Sequence, residues 1–206
     1  GKTDEDFNLD FAINGELLKN EITTMPLDPA TGLPKVLDTS NAPFAWAEGR
    51  SVYDFYMPEW AGVDPATGVP MWYMNYNDIN DNGTFDTGDV IIRSLTDYLS
   101  LNPTAIVGKT VTTTYADATQ KFIGKSAIPD VYGGFGFNVA YKGFDLGVDF
   151  AYQLGGYSSD GVWLTGMSLA PGGGLHSDFS KTWTPDNTSA SLPRVDVDDP
   201  KQYYSG

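Results

Sequence analysis

Phe135-Gly136-Phe137-Asn138-Val139-Ala140-Tyr141-Lys142-Gly143-Phe144-Asp145-Leu146-Gly147-Val148-Asp149-Phe150-Ala151-Tyr152 is the stretch on which the fold turns. Apolar side chains fall at every second residue on both sides of Lys142-Gly143. Successive side chains of a strand point to opposite faces, so this alternation gives one apolar and one wet face. A two-residue link suits a tight hairpin. In that register Tyr141 faces Phe144, Val139 faces Leu146, Phe137 faces Val148 and Phe135 faces Phe150. The apolar faces then match across the hairpin. The reverse face carries Gly134, Gly136, Asn138, Asp145, Asp149 and Gln153. Each strand approaches the roughly 9–11 residues that cross a bilayer. Aromatic residues near the strand ends fit interfacial girdles. A hairpin of a soluble β-sandwich alternates in the same way, so the pattern alone leaves both readings open.

Working outward, Phe7-Asn8-Leu9-Asp10-Phe11-Ala12-Ile13-Asn14 alternates just as strictly, with Phe7, Leu9, Phe11 and Ile13 on one face. Residues 15 to 130 show no sustained period. Short strand-like runs, Val52 to Met57 and Met71 to Tyr76, are separated by turn chemistry. One pattern occurs twice, as Asp28-Pro29-Ala30-Thr31-Gly32-Leu33-Pro34 and as Asp64-Pro65-Ala66-Thr67-Gly68-Val69-Pro70. Proline presets φ at the turn entry and glycine supplies a positive φ near its exit, so the two copies read as two similar loop tips. A repeat protein needs a third copy, and the sequence has none. Beyond Gln153 the chain is Gly-rich and irregular, through Pro171-Gly172-Gly173-Gly174 and Trp183-Thr184-Pro185-Asp186-Asn187.

The composition agrees with an all-β chain. Its 206 residues are 41% hydrophobic and 14% aromatic, with 23 Gly and 13 Pro. That mixture suits short strands, turns and long loops rather than a helical bundle. The formal charge of −15 repels a phosphate backbone and excludes nucleic acid as a partner. Thiolate metal sites, cysteine nucleophiles and disulfides are excluded by the absence of cysteine. No apolar run reaches the length of a transmembrane helix, which leaves a transmembrane barrel open. No signal peptide opens the chain, and it stops at Tyr203-Tyr204-Ser205-Gly206 without a clear end, as a fragment of something larger would.

The sharpest chemical motif is Asp78-Ile79-Asn80-Asp81-Asn82-Gly83-Thr84-Phe85-Asp86-Thr87-Gly88-Asp89. It follows the calcium-loop spacing D-x-[DN]-x-[DN]-G-x₅-E, with Asp89 where Glu is usual. Oxygen donors at alternate positions around a central glycine are what a hard cation needs. The expected Ca²⁺ ligands are the side-chain oxygens of Asp78, Asn80 and Asn82, the Thr84 carbonyl and the Asp89 carboxylate, with Asp86 acting through a water. Met71 to Tyr76 and Val90 to Arg93 do not read as helices, so this would be a calcium loop without flanking helices. The plain alternative is an Asx-rich turn that binds nothing. No catalytic constellation stands out, and His176 is the one histidine, in a Gly-rich loop. Trp60, Trp72, Trp163 and Trp183 are candidates for stacking on sugars or a partner, or for packing within the loops.

Four segments, in order, resemble the SusC/RagA family of TonB-dependent transporters. Trp60-Ala61-Gly62-Val63-Asp64-Pro65-Ala66-Thr67-Gly68 is similar to that family's "WAGVDPxTG" stretch. The acidic loop followed by Ile123-Gly124 and Ile128-Pro129 resembles its "DxNxDG…IG…P" stretch. Tyr141 to Leu146 resembles its "YKGFDL" hairpin, and Trp183 to Asn187 with Pro193-Arg194 its "WTPxN…PR" stretch. The resemblance spans about residues 7 to 194. It implies an all-β fold, a partial transmembrane β-barrel of antiparallel strands at about 5–14, 131–141 and 144–153, with outer loops at about 15–130 and 154–206. It also implies a place in the bacterial outer membrane, a SusD-like surface lipoprotein as partner, TonB contacted through an N-terminal part not in this chain, and import of oligosaccharides or peptides rather than catalysis. Ser94 to Lys121 departs from the family as an insertion. The competing expectation is a secreted, calcium-stabilised β-sandwich that binds glycan or protein.

Overall fold

In the computed structural model, residues 6–38, 43–167 and 175–195 are described. The chain is mostly strand. In order it forms β1 (Phe7–Leu17), β2 (Leu37–Asp38), β3 (Ala45–Trp46), β4 (Asp54–Pro58), β5 (Trp60–Val63), β6 (Pro70–Asn77) and β7 (Val90–Ile92). Helix α1 (Leu95–Leu101) follows, then β8 (Val107–Thr112), β9 (Gln120–Ser126), β10 (Pro129–Tyr141), β11 (Phe144–Gly155) and α2 (Gly161–Met167). Among the described residues no helix is long and apolar enough to cross a membrane.

The three long strands make one antiparallel sheet in the order β1-β10-β11. The hairpin takes the register expected from its alternation: Tyr141 opposite Phe144, Phe137 opposite Val148, Phe135 opposite Phe150. Lys142 and Gly143 both have positive φ, 47° and 85°. Two such residues form the tight turn whose twist matches that of the flanking strands. β1 pairs with β10 so that Phe7, Leu9, Phe11 and Ile13 lie opposite Tyr141, Val139, Phe137 and Phe135. All three strands therefore put their large apolar side chains on one face. β1 runs on to Leu17, past the expected end at residue 14. Gly15 sits on the apolar face there, and a residue without a side chain hid the alternation. β10 likewise starts at Pro129 and β11 ends at Gly155, slightly outside 131 and 153.

Among the described residues nothing covers that face. Phe11 is 64% exposed, Ile13 67%, Leu146 58% and Phe144 81%. Leaving such a side chain in water forgoes about 1.5–3 kcal/mol relative to burial. A β-sandwich would lay a second sheet here, and among the described residues none lies over it. The sheet is also open: β1 and β11 each have one edge without a partner strand among the described residues. The opposite face is small and polar, and on it Tyr132 donates to Glu16 across 2.7 Å.

Residues 15–130 are more than loops. Between β1 and β10 they fold into a module of small sheets with its own core. In it β6 is central: β5 and β7 share one of its edges and β8 pairs along the other. Trp72, Met74 and Tyr76 of β6 are buried with Ile92, Phe55 and Tyr56. Thr119 stitches the interior, accepting from the Asn75 backbone N–H at 2.6 Å and donating to the Ile92 carbonyl at 2.5 Å. The expected insertion, Ser94 to Lys121, supplies α1 and β8. It is part of this module's sheet, because β8 gives β6 the hydrogen bonds its second edge requires. Strands of two to eight residues are too short to show a period in the sequence. Beyond β11 the chain adds α2 and a 3₁₀ turn at Ser177–Lys181. The glycines at 172–174 lie outside the described residues.

Candidate functional site: an acidic loop and a clasped turn

The acidic loop joins β6 to β7, two antiparallel neighbours, so Asp78 and Asp89 are brought together at its mouth. Asp78 is 3% exposed. Its two carboxylate oxygens accept from the Asn82 N–H at 3.2 Å and the Gly83 N–H at 2.7 Å. Asp89 accepts from the N–H groups of Ile79 and Asp86, each at 3.0 Å. Asn80 and Asn82 accept from the N–H groups of Asn82 and Thr84. The loop is thus wound around its own carboxylates, with Gly83 at φ 75° making the sharp bend. Phe85 packs against buried Tyr76 at 5.2 Å and ties the loop to the core.

Of the expected ligands, Asp78 and Asp89 each accept backbone N–H groups from within the loop, while Asn80 and Asn82 are drawn to Asp86. The Asn80 and Asn82 amide groups donate to Asp86, the latter at 2.6 Å, and so offset its charge. Thr84 lies on the same winding, held by its N–H to Asn82. Among the described residues no three His, Cys, Asp or Glu side chains form a ready metal cluster. The donor set is a mixed one of carboxylate, amide and backbone oxygens. A carboxylate oxygen that accepts one N–H retains a lone pair, and a hard ion bound here would have to use those lone pairs.

The second Asp-Pro-Ala-Thr-Gly turn is the other built feature. Asp64 caps it, accepting from the Ala66 N–H at 3.0 Å and the Thr67 hydroxyl at 2.5 Å. These bonds hold its carboxyl below its ordinary range, the Thr67 bond most strongly. Gly68, at φ 74°, lies directly under the Trp183 ring. The Trp183 indole N–H donates to the Pro65 carbonyl at 3.1 Å. Arg194 donates its backbone N–H to the Gly68 carbonyl at 2.8 Å and its guanidinium to the Thr67 carbonyl at 3.3 Å. Two segments more than a hundred residues apart thus form one clasp. Sequence reasoning singled out both segments and did not join them; nothing local in either points to the other.

The tryptophans divide. Trp72 is buried between Trp60 and Tyr115, edge to face with each. Trp163 donates its indole N–H to Asp178 at 3.1 Å. Packing within the loops thus accounts for Trp72, Trp163 and Trp183, while Trp60 remains 37% exposed. His176 caps the 3₁₀ turn, its Nδ1 accepting from the Asp178 N–H. Glu59 escaped the sequence reading altogether. It takes Lys121 at 2.7 Å and Lys109 at 3.3 Å, and its carboxyl falls below the ordinary 4.5, chiefly through the Lys121 hydrogen bond. It braces β8 against β9.

No protein-family model matches this sequence, and no curated protein does. Solved structures do. A structure described as that of the RagAB peptide transporter is 26% identical with a TM-score of 0.65, over 94% of this chain and 18% of that one. Structures of the RagAB peptide importer in a closed-closed and an open-open state are 25% and 24% identical, with TM-scores of 0.66 and 0.63. Both cover 98% of this chain, and 19% and 18% of theirs. The chain therefore spans under a fifth of the length of the chains it resembles. The SusC/RagA resemblance carried by the four sequence segments holds in three dimensions across nearly the whole chain.

Proposed function

We propose that this chain is a section of the barrel wall, with its outer module, of a SusC-like TonB-dependent outer-membrane transporter that works with a SusD-like lipoprotein. One observation carries the reading: a three-stranded sheet with strands of bilayer-spanning length and a continuous uncovered apolar face. Such a face is stable where its surroundings are hydrocarbon. The two-residue turn at Lys142-Gly143 then lies on the periplasmic side, and the module between β1 and β10 lies outside. The polar face with Glu16, Asp10, Asp145 and Asp149 looks into the lumen. Likeness to peptide transporters favours peptides over oligosaccharides as cargo. TonB would be engaged by parts of the polypeptide beyond these residues. The test is co-purification of the intact protein in mild detergent with both components expressed. A stoichiometric surface lipoprotein is the expected result. Release into buffer without detergent overturns the membrane placement, and recovery without a lipoprotein overturns the partner.

In the same reading the acidic loop holds one Ca²⁺ through Asp78, Asn80, Asn82, Thr84 and Asp89. The ion would supply positive charge among the carboxylates and pin the β6–β7 connection. Asp89 is one methylene shorter than the usual Glu, which places the affinity at the weak end, about 10⁻⁴–10⁻³ M. Mg²⁺ should compete poorly, because it keeps its water and demands a smaller octahedral shell. Calorimetric titration of the chelator-stripped protein should show one site, lost in an Asp78→Ala, Asp89→Ala double variant. Absence of heat, or heat unchanged in the double variant, reduces the loop to an Asx-rich turn.

A further inference from the structure

The two Asp-Pro-Ala-Thr-Gly turns have the same backbone. In the first, Gly32 donates to the Asp28 carbonyl at 2.7 Å, Ala30 to the Asp28 carboxylate at 2.7 Å, and Asp28 to the Leu33 carbonyl at 2.8 Å. In the second, Gly68 donates to the Asp64 carbonyl at 2.7 Å, Ala66 to the Asp64 carboxylate at 3.0 Å, and Asp64 to the Val69 carbonyl at 2.9 Å. Gly32 and Gly68 share φ values of 71° and 74°. The strand bridge Leu27–Pro34 repeats the pairing Val63–Pro70. The surroundings differ. Gly68 is buried under Trp183, and Pro70 is buried as well. Among the described residues Gly32 has no neighbour where a side chain would stand, and Leu27 and Leu33 are 61% and 39% exposed.

We infer that the Asp28–Pro34 turn is a docking site for an extended segment of a partner protein that presents an indole and an arginine, as Trp183 and Arg194 do to the second turn. The same chain shows what such a turn accepts: a flat aromatic ring on its glycine, an indole N–H on its first proline carbonyl, and a guanidinium on its threonine carbonyl. The occupant is not this chain. None of residues 1–5, 39–42, 168–174 and 196–206 is a Trp or an Arg. Trp46, Trp163 and Trp183 already donate their indole N–H to Val52, Asp178 and Pro65, and Trp60 and Trp72 pack on each other. A cationic partner also complements a chain of net charge −15. The inference stands whether or not the long sheet lies in a membrane.

A synthetic peptide with the sequence Thr182–Arg194 is the probe, titrated into the intact protein in mild detergent by fluorescence anisotropy. Without a tether it binds weakly, so the titration extends to about 1 mM. One saturable site is expected. Gly32→Asn should weaken it at least about tenfold, because asparagine tolerates the positive φ while its side chain occupies the place of the indole. Peptides with Trp183→Ala or Arg194→Ala should lose binding similarly. A benzophenone at peptide position 184, beside the retained indole, should label residues 28–34. No saturable binding, unchanged binding to the Gly32→Asn protein, or labelling confined to other residues overturns the inference; a turn already filled by another part of the polypeptide gives the first of these.

Discussion

Val148→Arg, introduced into the intact protein in lipid vesicles, is expected to lower unfolding stability by about 2–4 kcal/mol. Val148 is the fifth of the twelve residues of β11, opposite Phe137, which in turn faces Phe11. That row lies inside both long strands, four residues from their hairpin ends and seven or eight from their other ends, so in the proposed placement it is within the hydrocarbon span. There an arginine must drag its charge into hydrocarbon or bend away to reach a headgroup. The same substitution at Tyr141, beside the turn, should cost about 0–1 kcal/mol because the interface is within reach. Asp149→Asn, one residue on and on the other face, should be near neutral. Urea unfolding in vesicles measures all three. If the sheet faced water instead, a charge at half-exposed Val148 would shift stability by no more than about 0.5 kcal/mol. A flat profile along the apolar face therefore rejects the membrane placement.

The second large effect is expected at the clasp. Trp183→Ala should free the segment up to Arg194 from the Asp64–Pro70 turn, at about 1–2 kcal/mol, below the range for a fully buried aromatic because Trp183 is only half-buried. Because the clasp joins outer segments and not the long sheet, the loss is local. Hydrogen exchange at residues 183–194 should accelerate roughly tenfold, while β10 and β11 are unchanged. Gly68→Ala attacks the same contact from below, since its new methyl meets the Trp183 ring. It also carries the strain of a positive φ, about 1–2 kcal/mol. Gly32→Ala shares that strain without any collision, so the difference between the two variants isolates the clasp. Equal effects would mean that Trp183 contributes nothing there.

What could be read from the sequence was whatever is periodic and local. The apolar alternation fixes the hairpin because each residue's face follows from its neighbours two positions away. It failed at Gly15, where the apolar row continues through an absent side chain. The acidic loop was readable because its donors sit at set spacings within twelve residues. The direction in which the Asn80 and Asn82 amides turn was not, since that depends on Asp86 folding back between them. The outer module was legible only in pieces: the strand-like runs Val52 to Met57 and Met71 to Tyr76 are β4 and β6, but the sheet around them could not be read. Its strands are so short that pairing, not pattern, makes them strands, and Ser94 to Lys121 looked like an addition when β8 completes the sheet around β6. Glu59, Trp183 and Arg194 find partners far along the chain, and no spacing announces such contacts.

The pairing of β1 with β10 has a bearing on the order in which the chain assembles. β10 and β11 are joined by a two-residue turn and can zip within microseconds of meeting. β1 must find its place on β10 with more than a hundred residues strung between Leu17 and Val131. Bringing such distant segments together is slow while the intervening chain is loose. Once the module has folded, Leu18 and Asp130 are hydrogen-bonded neighbours at its base, at 3.2 Å, and β1 is delivered to the hairpin's edge already in register. The outer module thus acts as a splint for strand insertion, and defects in its core should surface as slow or failed assembly of a sheet they never touch.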